Sequence, residues 1–101
     1  MRQAITLQQL EQLTAANIHL IDVRSEQEYA NQHIPEAVNI PSEKLSSAAE
    51  KFPVDDTIVC ICNHGGQRSQ TAAENLYNHG FRNAYYLEGG TAGWFDRENK
   101  K

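Results

Sequence analysis

Apolar and polar positions along the chain fall into two alternating rhythms. Leu7, Leu10 and Leu13 recur at helical spacing, and the stretch Thr6 to Gln9 just ahead has the form of a capping box. His19 to Val23 is a short apolar run of strand length. Ser25 to Glu28 is a second capping box that opens a short helix towards Tyr29 and Ala30, and His33-Ile34-Pro35 breaks it. Ala37 to Ile40 predicts a strand. Pro41 and Ser42 then start a helix to about Lys51, with Ser42 as its N-cap. Thr57 to Ile61 is the most apolar run and shows no in-out alternation, which predicts a central strand covered on both faces. Gln67 to His79 reads as a helix closed by Gly80, Asn83 to Leu87 as a strand, Glu88 to Thr91 as a loop, and Ala92 to about Glu98 as a last helix. Strands alternating with helices predict an α/β domain with a central parallel sheet flanked by helices on both faces.

At 101 residues the chain has the length of a single domain, taken here as 1–101. A formal net charge of −4 argues against nucleic acid or an anionic membrane as a general partner. No apolar stretch approaches the length of a membrane span. The two cysteines, Cys60 and Cys62, are one residue apart, a spacing at which a disulfide is badly strained. Reduced thiols and a cytoplasmic location are therefore expected. Cys60, Cys62 and His64 lack a second ligand pair, so no metal is expected, and nothing calls for a cofactor.

Chemistry concentrates directly behind the central strand, in Cys62, Asn63, His64, Gly65, Gly66, Gln67, Arg68 and Ser69. In parallel α/β sheets, ligands bind beyond the carboxyl ends of strands. Gly65 and Gly66 open backbone angles closed to other residues, so successive N–H groups are expected to turn inward as an anion-binding nest backed by the next helix start. A thiolate at the centre of such a bowl has a lowered pKa, and Arg68 adds a permanent cation able to hold an oxyanion through two hydrogen bonds. Cys60, inside an apolar strand, reads as core. A strand, glycine-rich loop and helix can also bind phosphate without using a cysteine, although the Lys-Ser/Thr ending of a P-loop is missing.

Leu20 to Arg24, Glu28-Tyr29, His33 to Pro35 and Ala37 to Pro41 resemble the N-terminal signature of single-domain rhodaneses. Cys62 to Ser69 resembles their active loop. Gly80-Phe81, Leu87 to Gly90 and Gly93-Trp94 resemble their C-terminal signature. The resemblance spans nearly the whole chain and implies the rhodanese fold. It also implies a sulfurtransferase in which Cys62 takes a sulfane sulfur from a small anionic donor such as thiosulfate. The resulting persulfide passes its outer sulfur to cyanide, a thiol or a protein acceptor. Within it, the loop amides from Asn63 to Ser69 stabilise the sulfur anion. Arg68 orients the donor or holds the loop, and His64 polarises a donor oxygen or faces solvent. Ser69 is a helix-start residue bonded to local backbone. Asp22 and Arg24 form a structural pair or line the mouth of the site.

Two departures from the family pattern stand out. The segment from Cys62 to Arg68 is Cys-x5-Arg, one residue longer than in many rhodaneses, and Gln32 and Glu36 occupy places where glycine is frequent. The longer loop also resembles those of related dual-specificity phosphatases and arsenate reductases, which handle tetrahedral oxyanions. Against that reading, no acidic residue follows Cys62 in the loop to serve as a leaving-group acid. A non-catalytic module that binds a protein or senses oxidants through Cys62 is the third reading.

Overall fold

The computed structural model describes residues 3–13 and 17–100. Its elements run β1 (Ala4–Ile5), α1 (Leu7–Gln12), β2 (Ile18–Asp22), α2 (Glu26–Asn31), β3 (Val38–Asn39), α3 (Leu45–Ala49), β4 (Thr57–Ile61), α4 (Gln67–Asn78), β5 (Ala84–Leu87) and α5 (Gly90–Asn99). The strands form one five-stranded sheet in the order β1-β5-β4-β2-β3. Every pairing in it is parallel. Strand β4 is the middle strand, and Ile58, Val59, Cys60 and Ile61 are all fully buried.

Alternation along β4 divides the interior in two. Ile58, Cys60 and Cys62 join Ile21, Val23, Leu45, Ala72, Leu76 and Phe81 on the face covered by α3 and α4. Val59 and Ile61 join Ile5, Ile34, Ala37 and Leu87 on the other face, against Leu7 and Leu10 of α1, Tyr29 of α2 and Trp94 of α5. The adjacent tyrosines of β5 split between them, Tyr86 against the first cluster and Tyr85 against the second.

Both capping boxes are formed. The Thr6 hydroxyl accepts from Gln9 N–H at 3.0 Å and the Gln9 side chain accepts from Thr6 N–H at 2.9 Å. Ser25 and Glu28 make the same reciprocal pair at the start of α2. Three expectations need correction. Strand β1 was not foreseen, because two residues carry no periodicity. It exists through its partner β5, with Tyr86 N–H donating to Gln3 O at 2.8 Å and Glu88 N–H to Ile5 O at 2.9 Å. Ser42 is not an N-cap. Residues Ser42–Lys44 form a 3-10 turn ahead of α3, Pro41 holds the capping position, and Ser42 N–H is taken by Val23 O at 3.1 Å. Helix α5 starts at Gly90 rather than Ala92, with Gly89 in the left-handed conformation at its N-cap.

The His-Ile-Pro turn carries its two departures differently. Glu36 has φ 75, a left-handed backbone in which a glycine is at ease and a glutamate is not. Gln32 is extended, with φ −167, and needs no glycine. His33 is structural: its Nδ1 lies 2.8 Å from Tyr29 O and its ring stacks on Tyr29 at 3.8 Å. Of the histidines without an obvious partner in the sequence, His19 meets Asp56 at 2.8 Å and His79 meets Asn75 O at 2.7 Å. Among the described residues, no helix is long and apolar enough to cross a membrane.

Candidate active site

Strand β4 delivers Cys62 one residue beyond its end, and the loop from Asn63 to Gly66 turns back over it into α4. The sulfur is enclosed: Cys62 is only 3% exposed. Gly66 N–H donates to Sγ at 3.2 Å, and the Ser69 hydroxyl lies 3.1 Å from it on the buried side. Burial alone pushes the Cys62 thiol up. The hydroxyl of Ser69 and the backbone N–H groups of Ser69, Gly66 and His64 push it down and prevail, so the net shift is downward. Cys60 has no such donors, and burial together with the nearby Cys62 charge pushes it up to about 12. The two thiols, one within β4 and one just past its end, are thus set apart by their surroundings.

The nest expected from Gly65 and Gly66 rests on unequal contributions. Gly65 has φ +74, and a Cβ there would lie 2.7 Å from Leu87 O, so both conformation and space demand glycine. Gly66 has φ −89 and ψ −151, an extended backbone open to any residue, with nothing within 4 Å of a built Cβ. Its contribution is its N–H.

The loop is fastened from below by α5. Thr91 N–H donates to Cys62 O and Ala92 N–H to Asn63 O, each at 2.9 Å. Two of the orphan donors at that helix start are satisfied by the loop carbonyls. The approach is close enough that Gly90, at φ +56, has no room for a side chain.

Asp22 and Arg24 form a buried pair, 0% and 4% exposed, joined through Nε and Nη2 at 2.8 to 3.2 Å. Arg24 also donates to Gln32 O at 2.6 Å and to Asn63 Oδ1 at 2.9 Å. It is a loop anchor, not a residue of an open mouth. Asn63 in turn donates to Glu28 Oε2 at 3.0 Å.

Arg68 is linked to the loop through a carboxylate that Asn63 also bonds. It holds an anion through two hydrogen bonds, but that anion is the Glu28 carboxylate, at 2.8 and 3.1 Å. Arg68 is the largest cause holding the Glu28 carboxyl well below the usual carboxylate range, helped by Ser25 and Asn63 against a smaller effect of burial. Glu28 raises Arg68 in return. In the sequence Glu28 stands out as a capping-box residue and as part of the Glu28-Tyr29 signature, and neither announces its bonds to Asn63 and Arg68. Ser69 does bond local backbone, donating to Gly66 O at 3.2 Å, but its contact with the sulfur was not anticipated. His64 and Gln67 are exposed, and Gln67 donates to Thr71 at 2.7 Å.

A groove of about 860 Å³ runs between α3 and α4 over Leu45, Phe52, Leu76 and Phe81, reaches Arg68 at one end, and does not include Cys62. Among the described residues, no three His, Cys, Asp or Glu side chains are grouped to hold a metal ion.

A parallel five-stranded sheet ending in a cysteine under a loop of inward amides defines a class of α/β domains built around a protected sulfur. The chain belongs to the rhodanese-like domain family, whose pattern it matches over residues 6–97. It is similar to the thiosulfate sulfurtransferase GlpE of Shewanella oneidensis, 33% identical over 93 residues that cover 91% of each chain. It superposes on the human single-domain sulfurtransferase TSTD1 with a TM-score of 0.85 at 28% identity, covering 96% of this chain and 98% of that one. It also matches part of an NAD-dependent persulfide reductase from A. fulgidus, with 31% identity and a TM-score of 0.67. That match covers 92% of this chain and 16% of the larger one.

Proposed function

We propose that this protein is a sulfurtransferase that carries sulfane sulfur as a persulfide on Cys62. The observation that carries the reading is the setting of the Cys62 sulfur, enclosed yet surrounded by the Gly66, His64 and Ser69 donors that favour its anion. The names of similar proteins, a thiosulfate sulfurtransferase and a single-domain sulfurtransferase, support it.

In the first half-reaction the Cys62 thiolate attacks the outer sulfur of thiosulfate. A new S–S bond forms to Cys62, the S–S bond of the donor breaks, and sulfite leaves with the electron pair. The negative charge stays on the outer persulfide sulfur, and the Gly66 and His64 amides that favour the Cys62 anion are expected to stabilise it there. In the second half-reaction cyanide, a thiolate or a protein thiolate attacks that outer sulfur. The Cys62 thiolate is released to begin again, and no metal or cofactor enters the balance. Such a cycle requires a reduced thiol, as in the cytoplasm.

The phosphatase and arsenate-reductase readings have less support. The Asp22 and Glu28 carboxylates beside the loop are committed to arginines, Asp22 to Arg24 and Glu28 to Arg68. Neither is placed to hand a proton to an oxygen leaving group. A purely binding module has no use for the donors around the sulfur.

Incubation with saturating thiosulfate followed by intact-mass measurement is expected to add one sulfur, about 32 Da, to the wild type and to Cys60→Ser but not to Cys62→Ser. Aryl-phosphate turnover that depends on Cys62, with no sulfur uptake, would replace this reading by the phosphatase one.

A further inference from the structure

Both arginines at the site are already neutralised from within. Arg24 is 4% exposed, shares two hydrogen-bonded edges with Asp22 and spends its other donors on Gln32 O and Asn63. Arg68 presents its planar fork to both oxygens of Glu28, the geometry with which guanidinium binds an external oxyanion. Glu28 is itself fixed from three further directions. Ser25 N–H and the Ser25 hydroxyl both bond its Oε1 at 3.1 Å, and Asn63 bonds its Oε2. A carboxylate tied to its own helix cap and to the loop it faces is held in the Arg68 fork by more than the ion pair alone.

Arg68 nevertheless belongs to the electrostatics of the sulfur. It is the second residue of α4, whose first turn carries Ser69, and the Cys62 and Asp22 charges both act on it through space. With its charge cancelled by Glu28, what is left to attract a donor is the ring of peptide N–H groups. That ring suits one negative charge on sulfur. A second charge on a sulfonate oxygen gains little from an Arg68 fork already filled by Glu28.

We propose that Glu28 is a specificity-determining residue: by occupying the Arg68 fork it selects donors with a single negative charge, alkyl persulfides and thiosulfonates, over the thiosulfate dianion. The inference rests on the sulfurtransferase reading and narrows its substrate class. The chemistry balances for either donor type. The Cys62 thiolate attacks the terminal sulfur of R–S–S⁻ or R–SO₂–S⁻, the bond from that sulfur to R–S or R–SO₂ breaks, and a thiolate or sulfinate leaves with the pair. Cys62 retains the sulfur as a persulfide anion, and the charge is the same before and after.

The test compares three donors: thiosulfate, methanethiosulfonate, which differs from it by a methyl group in place of one charged oxygen, and 2-hydroxyethyl persulfide. Cyanide is the acceptor for each. Glu28→Gln keeps an acceptor for Ser25 N–H, removes the charge and frees Arg68. It is expected to raise kcat/KM for thiosulfate about tenfold, through KM, while both singly charged donors change by less than about twofold. Differences in intrinsic donor reactivity cancel, because each donor is compared with itself. In an Arg68→Ala background the same substitution is expected to leave all three donors alike, an outcome that a purely structural role for Glu28 does not produce. An unchanged donor ratio in Glu28→Gln, or a change that persists without Arg68, would overturn the proposal while leaving sulfur transfer intact. If none of the donors loads sulfur onto Cys62 in the wild type, the sulfurtransferase reading itself falls, and this inference with it.

Discussion

Gly90 and the backbone of Cys62 are in contact: a Cβ built on Gly90 would lie 2.4 Å from the Cys62 carbonyl oxygen and 2.8 Å from Asn63 C and O. This closeness lets the Thr91 and Ala92 amides reach the two loop carbonyls, so the start of α5 and the sulfur-bearing loop are one unit. Gly90→Ala must displace backbone and also hold φ near +56. The cost is expected to be about 2–4 kcal/mol, from left-handed strain plus overpacking. Thermal denaturation is expected to show a fall in Tm of about 10 °C or more. Gly66→Ala is the control. Its extended backbone and open surroundings predict a change within about 0.5 kcal/mol.

The balance at the Cys62 sulfur can be read from its alkylation rate as a function of pH. Because the donors outweigh burial, the midpoint of iodoacetamide reactivity is expected below the ordinary thiol range. Ser69→Ala removes the hydroxyl at 3.1 Å and leaves the burial in place, so the midpoint moves up and the rate at pH 7 drops several-fold. A midpoint unmoved by this change would mean that the amides alone set the thiolate.

The two cysteines should differ sharply under the same reagent. Cys60 is fully buried and its thiol is pushed up to about 12, so at pH 7.5 the folded protein is expected to take a single adduct, on Cys62. Peptide mapping after brief labelling checks this. Prompt labelling of Cys60 in the native state would contradict the enclosed core drawn here.

What was legible in the sequence was local. The run Thr57 to Ile61 gave away the central strand because it lacks alternation, and the loop residues Cys62 to Ser69 are contiguous, so their chemistry could be read in one glance. The capping boxes declared α1 and α2 through side chains three residues apart. The rest depends on contacts across the chain. Glu28 reaches Asn63 and Arg68 over separations of 35 and 40 residues, and no local pattern marks a capping glutamate as the partner of a distant arginine. Gly90 seemed a loop glycine because its reason for being glycine is the Cys62 carbonyl, 28 positions earlier in the chain. Strand β1 has two residues and is specified by β5.

The buried Asp22–Arg24 pair predicts an asymmetric response to mutation. Removing either charge strands the other where water cannot reach it, so Asp22→Ala and Arg24→Ala are each expected to cost about 3–5 kcal/mol. Arg24→Ala also releases Asn63 and the Gln32 carbonyl, and its loop should become more open to proteolysis than that of Asp22→Ala. Urea denaturation measures the first expectation and limited digestion the second. If either single variant were as stable as the wild type, the pair would not be the anchor its burial implies.

Acid should dissolve the Glu28 clamp in a defined direction. The Glu28 carboxyl is held well below its unfolded value by Arg68, then Ser25 and Asn63. A group whose pKa is depressed on folding adds stability that is complete above the unfolded pKa, about 4.3 for Glu, and is lost as pH falls through the folded value. The difference in unfolding free energy between wild type and Glu28→Gln is therefore expected to be constant above about pH 5 and to shrink steadily below about pH 4. Other carboxylates, Asp22 included, are common to both proteins and cancel. Both partners are partly exposed, Arg68 43% and Glu28 34%, so solvent screening limits the plateau to about 1 kcal/mol. Urea midpoints at a series of pH values, at low and high salt, give the answer. A difference that grows on acidification would mean that Glu28 is not the charged partner of Arg68 in the folded protein.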